Sequence, residues 1–124
     1  MRFLIDTHTL LWWREDSPKL SARARREIAD SNNEISVSVV TLWEIALKRS
    51  GGKLQFTDDL EQVIRDESFI LVPIDFRHLR RAEGLPWFHK DPFDRMLIAQ
   101  AMVEGTPLIT NDRSLAPYGA PLLW

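Results

Sequence analysis

Residues 3–12 read Phe3-Leu4-Ile5-Asp6-Thr7-His8-Thr9-Leu10-Leu11-Trp12. A short apolar run typical of a strand ends at Asp6, and an apolar stretch with helical potential follows it. Strand-like runs return at residues 35–40, 69–74 and 107–110, with a weak one at 122–124. Apolar strands separated by helices are typical of a parallel sheet that is covered on both faces. The sequence therefore predicts an α/β fold.

The clearest helix is predicted over residues 91–102. Asp91 suits the N-cap, Pro92 stands at the first helical position, and acidic residues in the first turn favour the helix dipole. Gly105 ends this helix. Four shorter helices are predicted over residues 22–30, 41–48, 58–67 and 76–83, after the capping residues Ser21, Ser38, Thr57 and Asp75.

Length and composition restrict the class of protein. At about 150 residues per domain, the 124 residues predict a single domain over residues 1–124. The 16 basic and 18 acidic side chains give a net charge of −2, which excludes nucleic-acid binding by bulk positive charge. The chain has no cysteine, which excludes disulfides and thiolate metal sites and fits a reducing cytoplasm. No stretch approaches the roughly 20 apolar residues that span a bilayer, so we expect no membrane partner.

Four acidic residues are predicted to meet at one edge of the sheet. Asp6 and Asp112 follow apolar strands, and ligands of open parallel sheets bind beyond the carboxyl ends of the strands. Glu44 lies about two helical turns after the second strand. Asp94 lies in the first turn of the clearest helix. Each of the four therefore has a route to one pocket.

These acids indicate a metal site. Four clustered carboxylates repel one another, and a divalent cation removes the conflict. The ligands are hard oxygens, and the chain has neither cysteine nor a pair of histidines at ligand spacing, so the set favours Mg²⁺ or Mn²⁺ over Zn²⁺. Such an ion activates water and stabilises charge on a phosphodiester during in-line attack. The chemistry indicated is metal-dependent hydrolysis of phosphodiester bonds.

The sequence resembles the PIN-domain family, and within it the VapC-type toxins of bacterial toxin–antitoxin pairs. The matching segments stand in the family's order: FLIDTHTLLW at residues 3–12, Ser38 with WEIALK at 43–48, HKDPFDRMLIAQA at 89–101, and TND at 110–112. Each segment alone is a weak signal. Together they are specific, and they span almost the whole chain.

The resemblance implies a three-layer α/β/α sandwich around a mostly parallel five-stranded sheet. It implies an Mg²⁺- or Mn²⁺-dependent endoribonuclease that leaves 5′-phosphate and 3′-hydroxyl ends. It also implies a toxin that a cognate antitoxin inhibits and that commonly forms a homodimer. In the family's pattern Asp6 and Asp94 look like the principal metal ligands, and Glu44 and Asp112 look like secondary ones.

Several polar residues near these acids have two interpretations. Thr7, Thr110 and Asn111 either form turns or orient the acids and a bound water. Asp91 is either a further ligand or the helix cap, and the cap is favoured because aspartate before proline is expected at a helix start.

Other residues also have a structural alternative. Glu44 taken alone equally suits a solvated ion pair with Lys48 at i,i+4. Asp112 equally suits a cap of the turn that follows it. His8 and His89 are interpreted as loop or rim residues rather than ligands.

Four basic residues are interpreted as the ones nearest the predicted site, where they would hold RNA phosphates: Lys48, Arg49, Lys53 and Arg95. Most other arginines, Arg23 among them, are interpreted as solvent-facing residues of amphipathic helices.

Two other functions stay open at this point. One is a phosphotransferase that forms an aspartyl-phosphate on Asp6, although Asp6-Thr7-His8-Thr9 lacks the second aspartate of a D-x-D phosphatase loop. The other is a catalytically silent interaction module, against which the four intact acids argue.

Overall fold

The computed structural model describes residues 1–124 and contains one five-stranded sheet. Its strands are β1 (Arg2–Ile5), β2 (Glu34–Ser38), β3 (Ile70–Val72), β4 (Leu108–Ile109) and β5 (Leu122–Leu123). They lie in the order β3-β2-β1-β4-β5, and every neighbouring pair is parallel. The predicted α/β fold is confirmed, and the sheet is parallel throughout.

Seven helices connect the strands. They are α1 (Thr7–Arg14), α2 (Ala22–Ala29), α3 (Val39–Ser50), α4 (Leu60–Glu67), α5 (Phe76–Glu83), α6 (Pro92–Glu104) and a 3₁₀ helix (Arg113–Tyr118). None of them combines the length and the apolar character that crossing a bilayer requires.

The side chains of β1 show how the two faces of the sheet are covered. Successive residues of a strand point to opposite faces. Phe3 and Ile5 belong to a core cluster that also contains residues of α1, α2 and α4. Leu4 belongs to a second cluster built with α6 and the 3₁₀ helix. Both faces are therefore buried, as the continuous apolar strands predict.

Element boundaries shift where a cap overrides the apolar pattern. Ser38 accepts the backbone N–H of Val40 at 3.0 Å, so α3 begins directly after β2 and earlier than predicted. Asp59, not Thr57, caps α4 by accepting the N–H of Gln62 at 2.9 Å. The 3₁₀ helix lies where the sequence predicts only a turn after Asp112.

The strand order determines which chain segments meet. β1 lies between β2 and β4, so the carboxyl ends of these three strands are neighbours. The residues that follow them are Asp6, the start of α3 and Thr110. This edge of the sheet is where the sequence predicts the site.

Candidate metal centre

Asp6 joins β1 to α1 and is buried, with 7% of its surface exposed. Its Oδ1 accepts the backbone N–H of Thr9 at 2.9 Å, which caps α1. Its Oδ2 accepts the hydroxyl of Thr110 at 2.6 Å. Thr110 follows β4, the neighbour of β1, so the sheet itself brings this hydroxyl to Asp6. Each carboxylate oxygen keeps a further lone pair that can bind a cation.

Glu44 reaches the same edge from α3 and is also buried. Its Oε1 accepts the hydroxyl of Thr7 at 2.6 Å, and its Oε2 accepts the ammonium group of Lys48. The hydrogen bond to Glu44 raises the pKa of Lys48, so Lys48 keeps its charge at neutral pH. The sequence leaves two roles open for Glu44, a residue of the acidic pocket or an ion pair with Lys48. In the structure Glu44 has both.

Two acids come from the start of α6. Asp91 caps the helix, because its Oδ1 accepts two backbone N–H groups of the first turn at 2.8 and 3.1 Å. Burial, followed by the negative charge of Asp91 and then of Asp6 and Glu44, raises the pKa of Asp94 to about 7, although His89 lowers it. Burial first, and the neighbouring carboxylates second, therefore disfavour the ionised form of Asp94.

Asp112 lies beyond the end of β4 and also has two roles. Its Oδ1 accepts the N–H of Ser114 at 3.0 Å and caps the 3₁₀ helix. Its Oδ2 lies 3.6 Å from Nε2 of His89. Thr110 accepts the backbone N–H of Asp112 at 3.0 Å while it donates to Asp6, so one hydroxyl links two acids.

These side chains surround one small cavity of about 100 Å³, which no hydrophobic residue lines. Its lining residues are Asp6, Thr7, His8, Glu44, Lys48, Asp91, Asp94 and Asp112. All four acids predicted from the sequence are among them. The structure thus brings together residues that lie more than 100 positions apart in the chain.

The donor chemistry of this cavity fits a hard divalent cation. Carboxylate oxygens dominate its lining, and its one lysine is already bound to Glu44. Oxygen-rich sites of this kind suit Mg²⁺ or Mn²⁺. A bound cation would favour the ionised form of Asp94, which burial and the neighbouring acids disfavour.

A more open depression of about 340 Å³ adjoins the cavity. It shares Asp6, His8 and Asp112 with the cavity and adds Trp12 and Asn111. Asn111, predicted from the sequence beside the acids, therefore lies at the mouth of the site.

His89, which the sequence predicts as a loop or rim residue, lies in the loop before α6 and beside the acidic cavity. Its Nε2 lies 3.6 Å from Oδ2 of Asp94 and 3.6 Å from Oδ2 of Asp112. Its ring is thus near two of the acids without lining the cavity itself. The sequence signal for this location is the position of His89 two residues before Asp91, the cap of the helix that carries Asp94.

Two of the four predicted basic residues, Arg95 and Arg49, need correction because their guanidinium groups are engaged elsewhere. Arg95 is buried and donates to the carbonyl oxygens of the loop before α6 and to the hydroxyl of Tyr118. Arg49 donates to two carbonyl oxygens near the start of α4. Lys48 is paired with Glu44. Lys53 is exposed and its ammonium group makes no hydrogen bond. Arg95 in particular is not available to RNA.

Two other arginines occupy the position expected for basic rim residues. Arg23 and Arg113 line a third depression, of about 240 Å³, which shares Asn111 and Asp112 with the mouth of the site. Arg23 was interpreted as merely solvent-facing. Its proximity depends on how α2 packs, which periodicity does not reveal.

A second group of potential ligands, Asp75, His78 and Glu104, has a structural explanation. Nδ1 of His78 accepts the backbone N–H of Asp75 at 3.0 Å in a capping box, and its Nε2 bonds Glu104 at 2.8 Å. Arg77 pairs with both acids. Their charges are therefore already compensated, and the group ties α5 to α6.

Comparison with known proteins agrees with this geometry, since residues 3–120 match the PIN domain. The chain belongs to the PIN-domain family. It is similar to Ribonuclease VapC22 of Mycobacterium tuberculosis (strain ATCC 25618 / H37Rv), with 28% identity over 121 residues that cover 95% of this chain and 92% of that protein.

Solved structures share the fold of this PIN-domain chain. VapBC2 from Rickettsia felis, bound to a DNA fragment from its promoter, matches with a TM-score of 0.69 and 15% identity, over 100% of this chain and 98% of the other. A toxin–antitoxin complex from Klebsiella pneumoniae matches with a TM-score of 0.62 and 14% identity, over 98% and 96%. At these identities the likeness shows the fold alone.

Proposed function

We propose that this PIN-domain chain is a divalent-metal-dependent endoribonuclease that acts as the toxin of a toxin–antitoxin pair. The observation that carries the proposal is the acidic cavity formed by Asp6, Glu44, Asp94 and Asp112. Membership of the PIN-domain family and the similarity to Ribonuclease VapC22 support RNA as the substrate. We propose that residues 1–124 form its single nuclease domain.

Asp6 and Asp94 are the proposed principal ligands of Mg²⁺ or Mn²⁺. Asp94 makes no side-chain hydrogen bond. Asp6 accepts hydrogen bonds from two uncharged groups, the backbone N–H of Thr9 and the hydroxyl of Thr110. The proposed contribution of Glu44 is secondary, because Lys48 already balances its charge. Asp112 is also secondary, since its side chain is 39% exposed against 25% for Asp94. When bound, the ion supplies positive charge to the phosphate and activates water.

The chain's own polar residues hold these acids in place. The Thr110 hydroxyl orients Asp6, and the Thr7 hydroxyl orients Glu44. Such outer partners keep ligands in a productive orientation. Asn111, at the mouth of the site, is proposed to bind a water or a substrate phosphate oxygen.

The test is cleavage of a set of structured RNAs by the purified protein with Mg²⁺, Mn²⁺ or EDTA. We expect internal cleavage with either metal, 5′-phosphate ends, and loss of cleavage in EDTA that excess metal restores. Cleavage that EDTA does not affect would contradict the metal proposal. Tight partner binding without cleavage of any RNA would favour an interaction module instead.

We further propose that RNA approaches over Arg23 and Arg113. Both line a depression that meets the mouth of the acidic site at Asn111 and Asp112. An acidic cavity repels a polyanion, so nearby basic side chains are needed to bind its phosphates. Arg95 and Arg49 do not supply this charge, because their guanidinium groups are used within the fold.

The double substitution Arg23→Gln/Arg113→Gln is expected to weaken RNA binding about tenfold near 0.1 M salt. It should also reduce the slope of log affinity against log salt concentration by about 1.4, at about 0.7 per phosphate contact for a single strand. The matched control, Arg26→Gln/Arg80→Gln, removes the same charge at exposed positions away from the site. Fluorescence anisotropy in an Asp6→Asn background measures both. Equal slopes for the two double variants would contradict the route.

The proposed partners follow from the same family. A cognate antitoxin is supported by the fold shared with VapBC2 and with the Klebsiella pneumoniae toxin–antitoxin complex. A homodimer is supported by Trp43 and Leu47 of α3, which expose 60% and 50% of their surfaces. The absence of cysteine supports a reducing, cytoplasmic location.

A further inference from the structure

His89 lies in the loop before α6, and its ring faces the acidic site. Its Nε2 is 3.6 Å from a carboxylate oxygen of Asp94 and 3.6 Å from one of Asp112. The three ligand atoms lie within 4.8 Å of one another, so by distance alone His89 could be a third metal ligand. The hydrogen bond on the other ring nitrogen argues for a different role.

That hydrogen bond determines which nitrogen of His89 carries the proton. The backbone N–H of Asp91 donates to Nδ1 at 3.1 Å. A backbone N–H can only donate, so Nδ1 is the acceptor and has no proton. A neutral imidazole then carries its proton on Nε2. The lone pair that a metal needs is therefore on Nδ1, which faces the helix cap, and the nitrogen that faces the acids is a donor.

The Nε2–H donor has no hydrogen-bond partner. Its distances of 3.6 Å to Asp94 and Asp112 exceed hydrogen-bond length. Lys48, the lysine of the same cavity, is by contrast bound to Glu44. A free donor thus lies beside two acids of the proposed site.

The loop holds this donor in place. The backbone N–H of His89 donates to the hydroxyl of Tyr118 at 2.9 Å, and the buried Arg95 donates to the same oxygen at 3.2 Å. Arg95 also donates to the carbonyl oxygen of Pro86 at 2.7 Å. Because the ring is held through Nδ1 and the backbone of His89 through its N–H, the Nε2–H is preorganised and loses little entropy when it binds.

We propose that His89 is a substrate-binding residue that donates Nε2–H to a non-bridging oxygen of the scissile phosphate, and that it is not a metal ligand. This inference rests on the proposed function. In this role the neutral Nε2–H donates a hydrogen bond to the phosphate anion, which the neighbouring carboxylates would otherwise repel.

The test variant is His89→Asn. Asparagine at this position can accept the N–H of residue 91 in an Asx-turn, which keeps the loop while it removes the donor. His8→Asn is the control for the spectroscopic assignment below, because His8 lies in α1 and lines the cavity, whereas His89 lies beside it. Single-turnover cleavage at subsaturating enzyme should fall about 10- to 30-fold in His89→Asn, the value of one hydrogen bond to a charged group. It should fall less than threefold in Glu83→Gln, which changes an exposed residue outside the cavity.

Two measurements without RNA separate the roles. Nitrogen-15 NMR of the metal-free protein at pH 8 should show His89 protonated at Nε2. Pulsed EPR with bound Mn²⁺ should show no nitrogen coupling from His89, and the Mn²⁺ dissociation constant of His89→Asn should stay within twofold. A nitrogen coupling lost in His89→Asn but kept in His8→Asn, or a proton on Nδ1, overturns the inference. Unchanged cleavage in His89→Asn also overturns it, whereas absence of cleavage by the wild type refutes the proposed function itself.

Discussion

Asp6→Asn is expected to lower RNA cleavage about 100- to 1,000-fold, because it removes a proposed principal ligand, and a cation contributes several kcal/mol to the transition state. The fold should survive the change. Asparagine keeps the oxygen that caps α1 at Thr9, and its amide can donate to the Thr110 hydroxyl in place of accepting from it. We expect the free energy of unfolding to change by less than about 1 kcal/mol.

Asp91→Asn is the matched control for this prediction. It makes the same chemical change in another residue of the cavity lining, and asparagine also caps helices well. With Asp91 as the cap of α6 and not a ligand, cleavage should fall less than tenfold. Single-turnover rates with saturating Mn²⁺ and urea unfolding curves supply the two readouts. If Asp91→Asn loses as much activity as Asp6→Asn, Asp91 belongs among the ligands.

The convergence of the acids could be predicted because it follows from topology. In a parallel sheet the carboxyl ends of adjacent strands meet, so Asp6 after β1 and Asp112 after β4 had to approach one another. Asp94 could be placed because the cap Asp91 and Pro92 locate the start of α6 within a residue. The helix cap and the rule that the carboxyl ends of parallel strands meet were sufficient to predict where these residues lie.

The surroundings of the acids could not be predicted in the same way. Arg95 lies one residue after Asp94, yet its side chain leaves the site and binds loop carbonyl oxygens, because α6 turns successive side chains by about 100°. The locations of His89 and Arg23 depend on how a loop and a helix pack against the sheet. Such contacts are non-local, and residue type alone does not reveal them.

Asp94→Asn is expected to change stability and activity in opposite directions. In the metal-free protein burial and neighbouring acids raise the pKa of Asp94 to about 7, from an ordinary value of 3.8. The folded state then binds this proton more tightly than the unfolded state, so the contribution of Asp94 to stability declines as pH rises from about 4 to about 7. Asparagine does not titrate, and Asp94 makes no side-chain hydrogen bond that it would lose.

Above pH 7 the metal-free Asp94→Asn protein should therefore be more stable than the wild type, by about 1 to 2 kcal/mol once screening of a partly exposed side chain is allowed for. At pH 4 the two should be equal. Mn²⁺ should stabilise the wild type at pH 8 and have much less effect on the variant, because binding to the folded state alone raises stability. Cleavage by the variant should fall at least about 100-fold.

Urea unfolding at pH 4 and pH 8, with Mn²⁺ or EDTA, measures these effects beside Glu83→Gln, which removes one exposed carboxylate that does not line the cavity. That control should match the wild type within about 0.5 kcal/mol at both pH values. Two results would contradict the proposed role of Asp94 as a metal ligand whose charge destabilises the metal-free fold. They are a less stable Asp94→Asn protein at pH 8, and equal stabilisation of the variant and the wild type by Mn²⁺. The expected outcome is a more stable variant that no longer cleaves RNA. It would show that the Asp94 carboxylate serves the reaction at the expense of the stability of the fold.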